Sequence, residues 1–235
     1  FNINYIISEF EVASYHLFNI MLHALASLLV FQFSHRALNF LDDFLSRKVF
    51  SSLPFFASMI FALHPLNTQS VTYISSRSSI MATVFYLSAL ILFFDGFRKW
   101  KLTGDKSWAY FISSALCFFL GGLSKEIIVT LPAMLFFFHF YFIFRKTPKE
   151  WFETYAKWIF LLFIPLLTFI GYKQFMLGGL LTASTANLNP STWFLTQTSV
   201  IPFEYFRKML FPFNMNIDID FPISKNWLQP DDLFG

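Results

Sequence analysis

The chain has 235 residues, of which 56% are hydrophobic and only 13% are charged. Soluble domains carry about 25% charged residues, so this composition argues against a soluble globular protein. The mean hydropathy of +0.54 and the 36 phenylalanines indicate a membrane protein, part of whose surface contacts lipid. A net charge of +3 is too small to indicate a nucleic-acid partner, and the single cysteine, Cys117, excludes an internal disulfide.

Six apolar windows are each about long enough to cross roughly 30 Å of hydrocarbon. They lie at residues 15–33, 49–63, 76–94, 106–123, 126–144 and 155–175. The sequence therefore predicts an all-α integral membrane protein with a helical bundle over residues 1–175. Residues 176–235 are expected to form a loop and an interfacial helix segment on the outer face.

The basic residues predict the orientation. Eleven of them fall in the loops expected at 34–48, 97–107 and 145–157: Arg36, Arg47, Lys48, Arg98, Lys99, Lys101, Lys106, Arg145, Lys146, Lys149 and Lys157. The intervening short loops contain only Arg77 and Lys125. By the positive-inside rule, the first set of loops is cytoplasmic, and Arg77 and Lys125 are outside.

The segment 203–213 mixes aromatic residues with Glu204, Arg207 and Lys208. A helix of this composition suits the membrane interface better than the hydrocarbon core, and we expect it to be amphipathic and to lie on the outer face.

Arg77 and Lys125 are the first candidates for a functional site, because a cation in or near a membrane span is costly. Each is expected in the first turn of a helix, where the dipole disfavours a cation unless an anion also binds. Ser75, Ser76 and Ser124 stand beside them as possible N-caps. The alternative is that both cations extend to lipid headgroups.

His64 and Glu126 complete the candidate lipid-phosphate site. His64 directly follows the second window and could donate to the same anion or act as a base, or it could bond to the backbone of the turn. Glu126 follows Lys125 and could offset its charge, support the helix dipole or hold an acceptor hydroxyl. Ser124 and Glu126 are therefore supporting residues in this hypothesis.

Two further polar groups contain residues of types that bind metals. His16, Asn19 and His23 share one helical face, but no further ligand of suitable type is evident, so hydrogen bonding between helices is the better interpretation. Asp218 and Asp220 alternate in an extended pattern and could bind a divalent cation or line an acceptor groove, although a solvated face explains them as well. No metal ligand is assigned.

Four stretches resemble one family when taken together. YHLFNIMLHAL, FALHPLNTQSVTYISSRSSIMATVFYLSALIL, SKEIIVTLPAML and YFRKMLFPFNMNIDIDFPIS occur in this order. They resemble the membrane part of the transmembrane and tetratricopeptide-repeat O-mannosyltransferases, and the chain looks more like the bacterial branch. The resemblance covers nearly the whole chain.

The resemblance implies a GT-C fold and a glycosyltransferase that moves a mannose-like sugar from a polyprenyl-phosphate donor to a protein hydroxyl. It places the reaction at the outer face of a bacterial inner membrane, or of the endoplasmic reticulum membrane in a eukaryote. It also implies tetratricopeptide repeats downstream, and a catalytic acidic residue that is expected before Phe1. The chain is therefore interpreted as an internal piece of a longer protein, without an assigned catalytic residue.

Two other functions fit the same charges. A transporter or flippase of an anionic lipid would also place cations near the interface, although such proteins often use broken helices near the midplane. A membrane scaffold without catalytic activity is the third alternative.

Overall fold

The computed structural model describes residues 5–6, 9, 11–45, 52–105, 107–138, 167, 171, 198 and 205–213. Within these ranges the chain is helical apart from turns and short connections, and no strand occurs. The all-α prediction is therefore confirmed for the part that is described. Window 155–175 and residues 214–235, with Asp218 and Asp220, lie almost wholly outside it.

Seven α-helices have both bounds within the described ranges. They are α1 Val12–Leu45, α2 Leu53–Leu63, α3 Asn67–Thr72, α4 Arg77–Thr103, α5 Trp108–Ser124, α6 Leu131–Phe138 and α7 Phe206–Leu210. Two short 3₁₀ helices, Ile74–Ser76 and Glu126–Thr130, lead directly into α4 and α6. The chain divides into two compact units, one of residues 1–63 and 70–169 and one of residues 64–69 and 170–235.

Helix α4 is the centre of the first unit. It packs against α1 on one side and α5 on another. Its buried side chains are apolar along its whole length: Ile80, Ala82, Ala89, Leu90, Ile91, Phe93, Phe94 and Phe97. Among the described side chains of this helix, the one buried charge is at its first residue, Arg77, so the buried face of α4 is apolar except at that end.

Side-chain contacts fix the directions of the helices. Asn19 of α1 meets Arg77 of α4, and further along Arg36 of α1 meets Asp95 of α4, so α1 and α4 run parallel. His23 of α1 contacts Ala62 near the end of α2.

Helix α5 runs against α4. The Ser114 hydroxyl on α5 donates to the Ala89 carbonyl on α4, a 2.8 Å bond that satisfies a buried polar group. Near the other end of this pair, Gly96 leaves so little room that an added Cβ would stand 2.8 Å from the Cβ of Tyr110. The starts of α1 and α4 and the end of α5 therefore lie at one end of the first unit, here called the Arg77 end.

The first predicted loop is wrong over most of its length. Residues 34–48 were expected to leave the first helix, yet α1 continues to Leu45. The sequence from Ser34 to Leu45 contains neither glycine nor proline, so nothing in it interrupts the helical hydrogen bonds. Its charged residue Arg36 is accommodated by pairing with Asp95 on α4.

The third helix also extends beyond its predicted end. Helix α4 begins within one residue of the expected start but runs to Thr103, past the expected end at residue 94. It stops where Gly104 takes φ 72°, a left-handed conformation that glycine adopts without a Cβ penalty, and the Gly104 N–H donates to the Trp100 carbonyl. Helix α5 lies close to its predicted window.

The two shorter helices differ from their windows. Helix α2 covers the last eleven residues of window 49–63 and is about 16 Å long at 1.5 Å per residue. The fifth window begins with the 3₁₀ helix Glu126–Thr130 and continues as α6, whose last described residue is Phe138.

The described part of the second unit contains the turn after α2 and the short helix α7. In the turn, the Asn67 N–H donates to the His64 carbonyl and the Thr68 N–H to the Pro65 carbonyl. Helix α7 exposes Phe206, Met209 and Leu210. Its location at a membrane interface stays a prediction.

Candidate functional site

Lys125 and the first turn of α4 are in direct contact. The Lys125 ammonium donates a 2.7 Å hydrogen bond to the hydroxyl of Ser79, which stands two residues after Arg77. Lys125 itself is exposed, whereas Ser79 is half-buried. Two sequence segments that are 46 residues apart thus meet at the Arg77 end, with an accessible ammonium and a hydroxyl side by side.

Ser79 was not predicted as a site residue, although it stands close to Ser75, Ser76 and Arg77 in the sequence. Because the Ser79 oxygen accepts this hydrogen bond from Lys125, its own O–H is directed away from the ammonium. The Ser79 carbonyl also accepts a hydrogen bond from Thr83 in the next turn, which fixes the local helix. The sequence alone could not show that the Ser79 hydroxyl lies within hydrogen-bond distance of Lys125.

Arg77 is buried, with 3% of its surface exposed. Its Nε donates to the side-chain oxygen of Asn19 at 2.9 Å, and one terminal nitrogen donates to the Tyr15 carbonyl at 3.2 Å. The guanidinium carbon also lies 4.6 Å from the centroid of the Phe18 ring and 5.6 Å from that of Tyr15. The structure thus places Arg77 as a desolvated cation held by α1, not as a side chain extended to the surface.

The predicted serine caps are not formed. Ser76 at the start of α4 makes no side-chain cap hydrogen bond, and Ser75 lies inside the 3₁₀ helix that precedes it. Ser124 donates its hydroxyl to the Leu120 carbonyl within α5, because the helix continues through it and Lys125 is the residue that flanks the following 3₁₀ helix. Ser124 and the exposed Glu126 are nevertheless adjacent to Lys125 in the chain.

His64 lies in the second unit and uses both ring nitrogens. Its Nδ1 accepts from the Leu66 N–H at 3.2 Å, and its Nε2 is 3.0 Å from the Met209 carbonyl. A carbonyl can only accept, so Nε2 carries the proton and the ring is the neutral Nε2–H tautomer. In this arrangement His64 connects the turn after α2 to α7.

The interpretation of the polar face of α1 as interhelical hydrogen bonding is confirmed for two of its residues. His23 contacts the Ala62 carbonyl at 3.0 Å, and Asn19 bonds to Arg77 and to the chain before α4. Over the described ranges no group of three His, Cys, Asp or Glu side chains could hold a metal ion.

The outer surfaces of the helices are apolar. On α5 the exposed large residues recur at three- and four-residue spacing and form one stripe: Trp108, Ile112, Leu116, Phe119 and Leu123. Helix α1 likewise exposes Leu17, Met21, Leu25 and Leu28, while its Asn19 is buried. Apolar surface outside and hydrogen-bonded polar groups inside suit helices in lipid.

Two helices in the described part of the chain are long and apolar enough to cross a membrane, Val12–Asn39 and Ile74–Trp100. Three shorter apolar helices, Leu53–Leu63, Trp108–Ser124 and Glu126–Phe138, accompany them. The class that fold and surface define is thus an all-helical protein with features of membrane association.

Comparison with known proteins points to one group of enzymes. The chain is 34% identical over 92 residues to protein O-mannosyl-transferase F38B6.6 of Caenorhabditis elegans, a match that covers 39% of this chain and 12% of that protein. It is 35% identical over 91 residues to protein O-mannosyl-transferase TMTC3 of Homo sapiens, covering 39% of this chain and 9% of that protein. A longer match, 29% identical over 174 residues, is to protein O-mannosyl-transferase TMTC2 of Mus musculus, covering 73% of this chain and 20% of that protein.

These matches support the predicted resemblance to the transmembrane O-mannosyltransferases. The chain spans between about a tenth and a fifth of the length of the three curated relatives. All three are animal proteins, and a bacterial origin for this chain stays a prediction. No family model matches the chain, and no solved structure matches it.

Proposed function

We propose that this chain is part of the membrane domain of a GT-C glycosyltransferase related to the protein O-mannosyl-transferases. It transfers a mannose-like sugar from a polyprenyl-phosphate donor to a protein hydroxyl at the outer membrane face. Similarity to three proteins with that name supports the transfer reaction. The observation that carries the site is the 2.7 Å contact between Lys125 and Ser79 beside Arg77.

In the proposed reaction, the bond between the sugar and the donor phosphate breaks, and the acceptor oxygen forms the new bond to the sugar. The acceptor proton passes to a base that is not assigned to a residue of this chain. Negative charge develops on the leaving phosphate, and fixed donors at that position stabilise the transition state. Lys125 and Ser79 supply an ammonium and a hydroxyl at one accessible place, and Glu126 and Ser124 flank them.

Arg77 has a different part in this proposal. Its guanidinium is desolvated and two residues from Ser79 in sequence, so its positive charge acts in a medium of low dielectric constant. We place it behind the phosphate site as an electrostatic contributor. His64 bonds within the second unit to the Leu66 N–H and the Met209 carbonyl, so its part in this proposal is structural.

The experiment is a transfer assay in membranes that contain the full-length protein. Labelled mannose on a polyprenyl phosphate is the donor, and the rate is normalised to the amount of protein. Lys125→Ala is expected to lose transfer by about 100-fold, the lower end for loss of one preorganised donor. Lys99→Ala, on the far half of α4, is the matched control and is expected to keep the wild-type rate.

Two results would contradict the proposal. Near-normal transfer by Lys125→Ala would remove Lys125 from the phosphate site. Transfer from a nucleotide-activated mannose with none from the polyprenyl-phosphate donor would overturn the donor class while leaving the enzyme a glycosyltransferase.

A further inference from the structure

Asn19 is completely buried in α1, with 0% of its surface exposed. Its amide nitrogen donates to the Val71 carbonyl at 3.2 Å and to the Tyr73 carbonyl at 3.3 Å. Its oxygen accepts from Nε of Arg77 at 2.9 Å. One side chain thus joins α1, the end of α3, the residue before the 3₁₀ helix Ile74–Ser76, and Arg77.

The three partners determine the orientation of the amide. Two carbonyls can only accept and Nε of arginine can only donate, so the nitrogen must face the backbone and the oxygen must face Arg77. A side chain with an oxygen alone, or with neither group, cannot make this set of bonds. In an apolar surrounding, each group left unsatisfied carries a desolvation cost, and the set is stable only when complete.

We infer that Asn19 is a positioning residue that sets the place of the Arg77 guanidinium at the Arg77 end of the first unit. It does so by holding Arg77 directly and by holding the two backbone carbonyls that precede it. This inference rests on the proposed function, because the position of Arg77 matters for transfer only if its charge is directed at the leaving phosphate. It adds a residue remote in sequence, on α1, to the transfer site.

The test is a double-mutant cycle in the full-length protein. Asn19→Leu, Arg77→Ala and the double variant are compared with the wild type for transfer rate and for thermal unfolding in detergent. Misplacement of an oriented group costs up to about 100-fold in rate. If Asn19 acts through Arg77, the double variant is no slower than Arg77→Ala, because residues in one hydrogen-bond network are not additive.

Asn19→Asp and Asn39→Leu complete the set. The aspartate keeps an oxygen for Arg77 but loses both N–H donors, so it should lose less transfer than Asn19→Leu; this variant also replaces Asn19→Leu if that protein does not accumulate. Asn39 is on the same helix, and its amide pairs with His35 one turn away. Asn39→Leu should therefore keep the wild-type rate and show no coupling to Arg77→Ala.

The outcomes separate the inference from the proposed function. Additive losses in both transfer rate and melting temperature overturn the inference. Non-additivity in melting temperature supports the positioning of Arg77 by Asn19 even in a protein without transferase activity. A wild-type protein that transfers no sugar overturns the proposed function alone.

Discussion

Arg36 and Asp95 pair across α1 and α4, with Nε of the arginine 3.1 Å from both carboxylate oxygens. Both side chains are partly buried, with 29% and 26% of their surface exposed. The Asn19–Arg77 bond joins the same two helices 17 residues earlier on α1 and 18 residues earlier on α4. The two polar links are therefore roughly 26 Å apart along the helices, close to the thickness of a hydrocarbon core, and they fix α1 and α4 in parallel register.

We predict that breaking this ion pair from one side costs more stability than removing it altogether. Arg36→Leu or Asp95→Leu leaves a partly buried charge without its partner and should lower the free energy of unfolding by about 1–2 kcal/mol. The variant with both leucines should be less affected than either single variant. Thermal unfolding of the purified protein in detergent measures the three effects.

The control for this prediction is the second ion pair. Lys99 and Asp105 are 3.8 Å apart, and 45% and 66% of their side-chain surface is exposed. Water screens such a pair, so Lys99→Leu should leave the melting temperature nearly unchanged. If Lys99→Leu and Asp95→Leu lower the melting temperature equally, the Arg36–Asp95 pair stabilises the fold no more than the exposed pair does.

The sequence predicts the parts of this fold that depend on neighbouring residues better than the parts that depend on residues far apart in the chain. The starts of α4 and α5 follow from apolar windows and a polar turn, and both were placed within two residues. The end of α1 was missed, because Arg36 in sequence looks like a loop cation and its partner Asp95 is 59 positions away.

The candidate site shows the same limit. Arg77 and Lys125 could be predicted from the sequence, because each stands beside an apolar run, where a charge is costly in free energy. The partners of these cations could not be predicted in the same way. Ser79 is 46 residues from Lys125 in sequence, and Asn19 is 58 residues from Arg77, so each pair meets only when the helices pack. Hydrogen-bond geometry of this kind depends on the tertiary arrangement.

The second prediction concerns sidedness. Helices α1 and α4 run parallel and α5 runs against α4, as expected if successive helices cross a membrane in alternate directions. Ser70→Cys and Lys101→Cys, each in a Cys117→Ser background, should then be labelled from opposite sides by a thiol reagent that does not cross the membrane, with Ser70→Cys accessible from outside. Equal labelling of both positions in intact cells would contradict the topology.

The third prediction concerns the turn that carries Lys125. An added Cβ on Gly121 would stand 2.5 Å from Cδ1 and 3.0 Å from Cγ1 of Ile128, and 3.2 Å from Cβ of Phe85. Ile128 is fully buried, so Gly121→Ala should overpack this contact and lower the free energy of unfolding by about 1–3 kcal/mol.

Ile128→Val supplies the matched test of that cause, because valine lacks Cδ1. Added to Gly121→Ala, it should restore part of the melting temperature, although by itself it should cost about 1 kcal/mol by leaving a small cavity. If the two substitutions together lose as much stability as the sum of the single losses, the crowding of Gly121 by Ile128 is not the cause.

The last prediction separates a structural from a catalytic part for His64. Its Nδ1 accepts from Leu66 and its Nε2–H donates to Met209, so in this conformation neither nitrogen is available to take a proton from an acceptor hydroxyl. Glutamine places an amide N–H near the position of Nε2 and can keep the bond to Met209, whereas alanine cannot. We therefore expect His64→Gln to transfer sugar at close to the wild-type rate and His64→Ala to lose a few-fold, about the effect of one neutral hydrogen bond. Both rates are measured with the labelled polyprenyl-phosphate donor over a range of pH, and the shape of the pH–rate profile should be the same in all three proteins. A loss of 100-fold or more in His64→Gln, with a changed profile, would instead assign His64 to proton transfer.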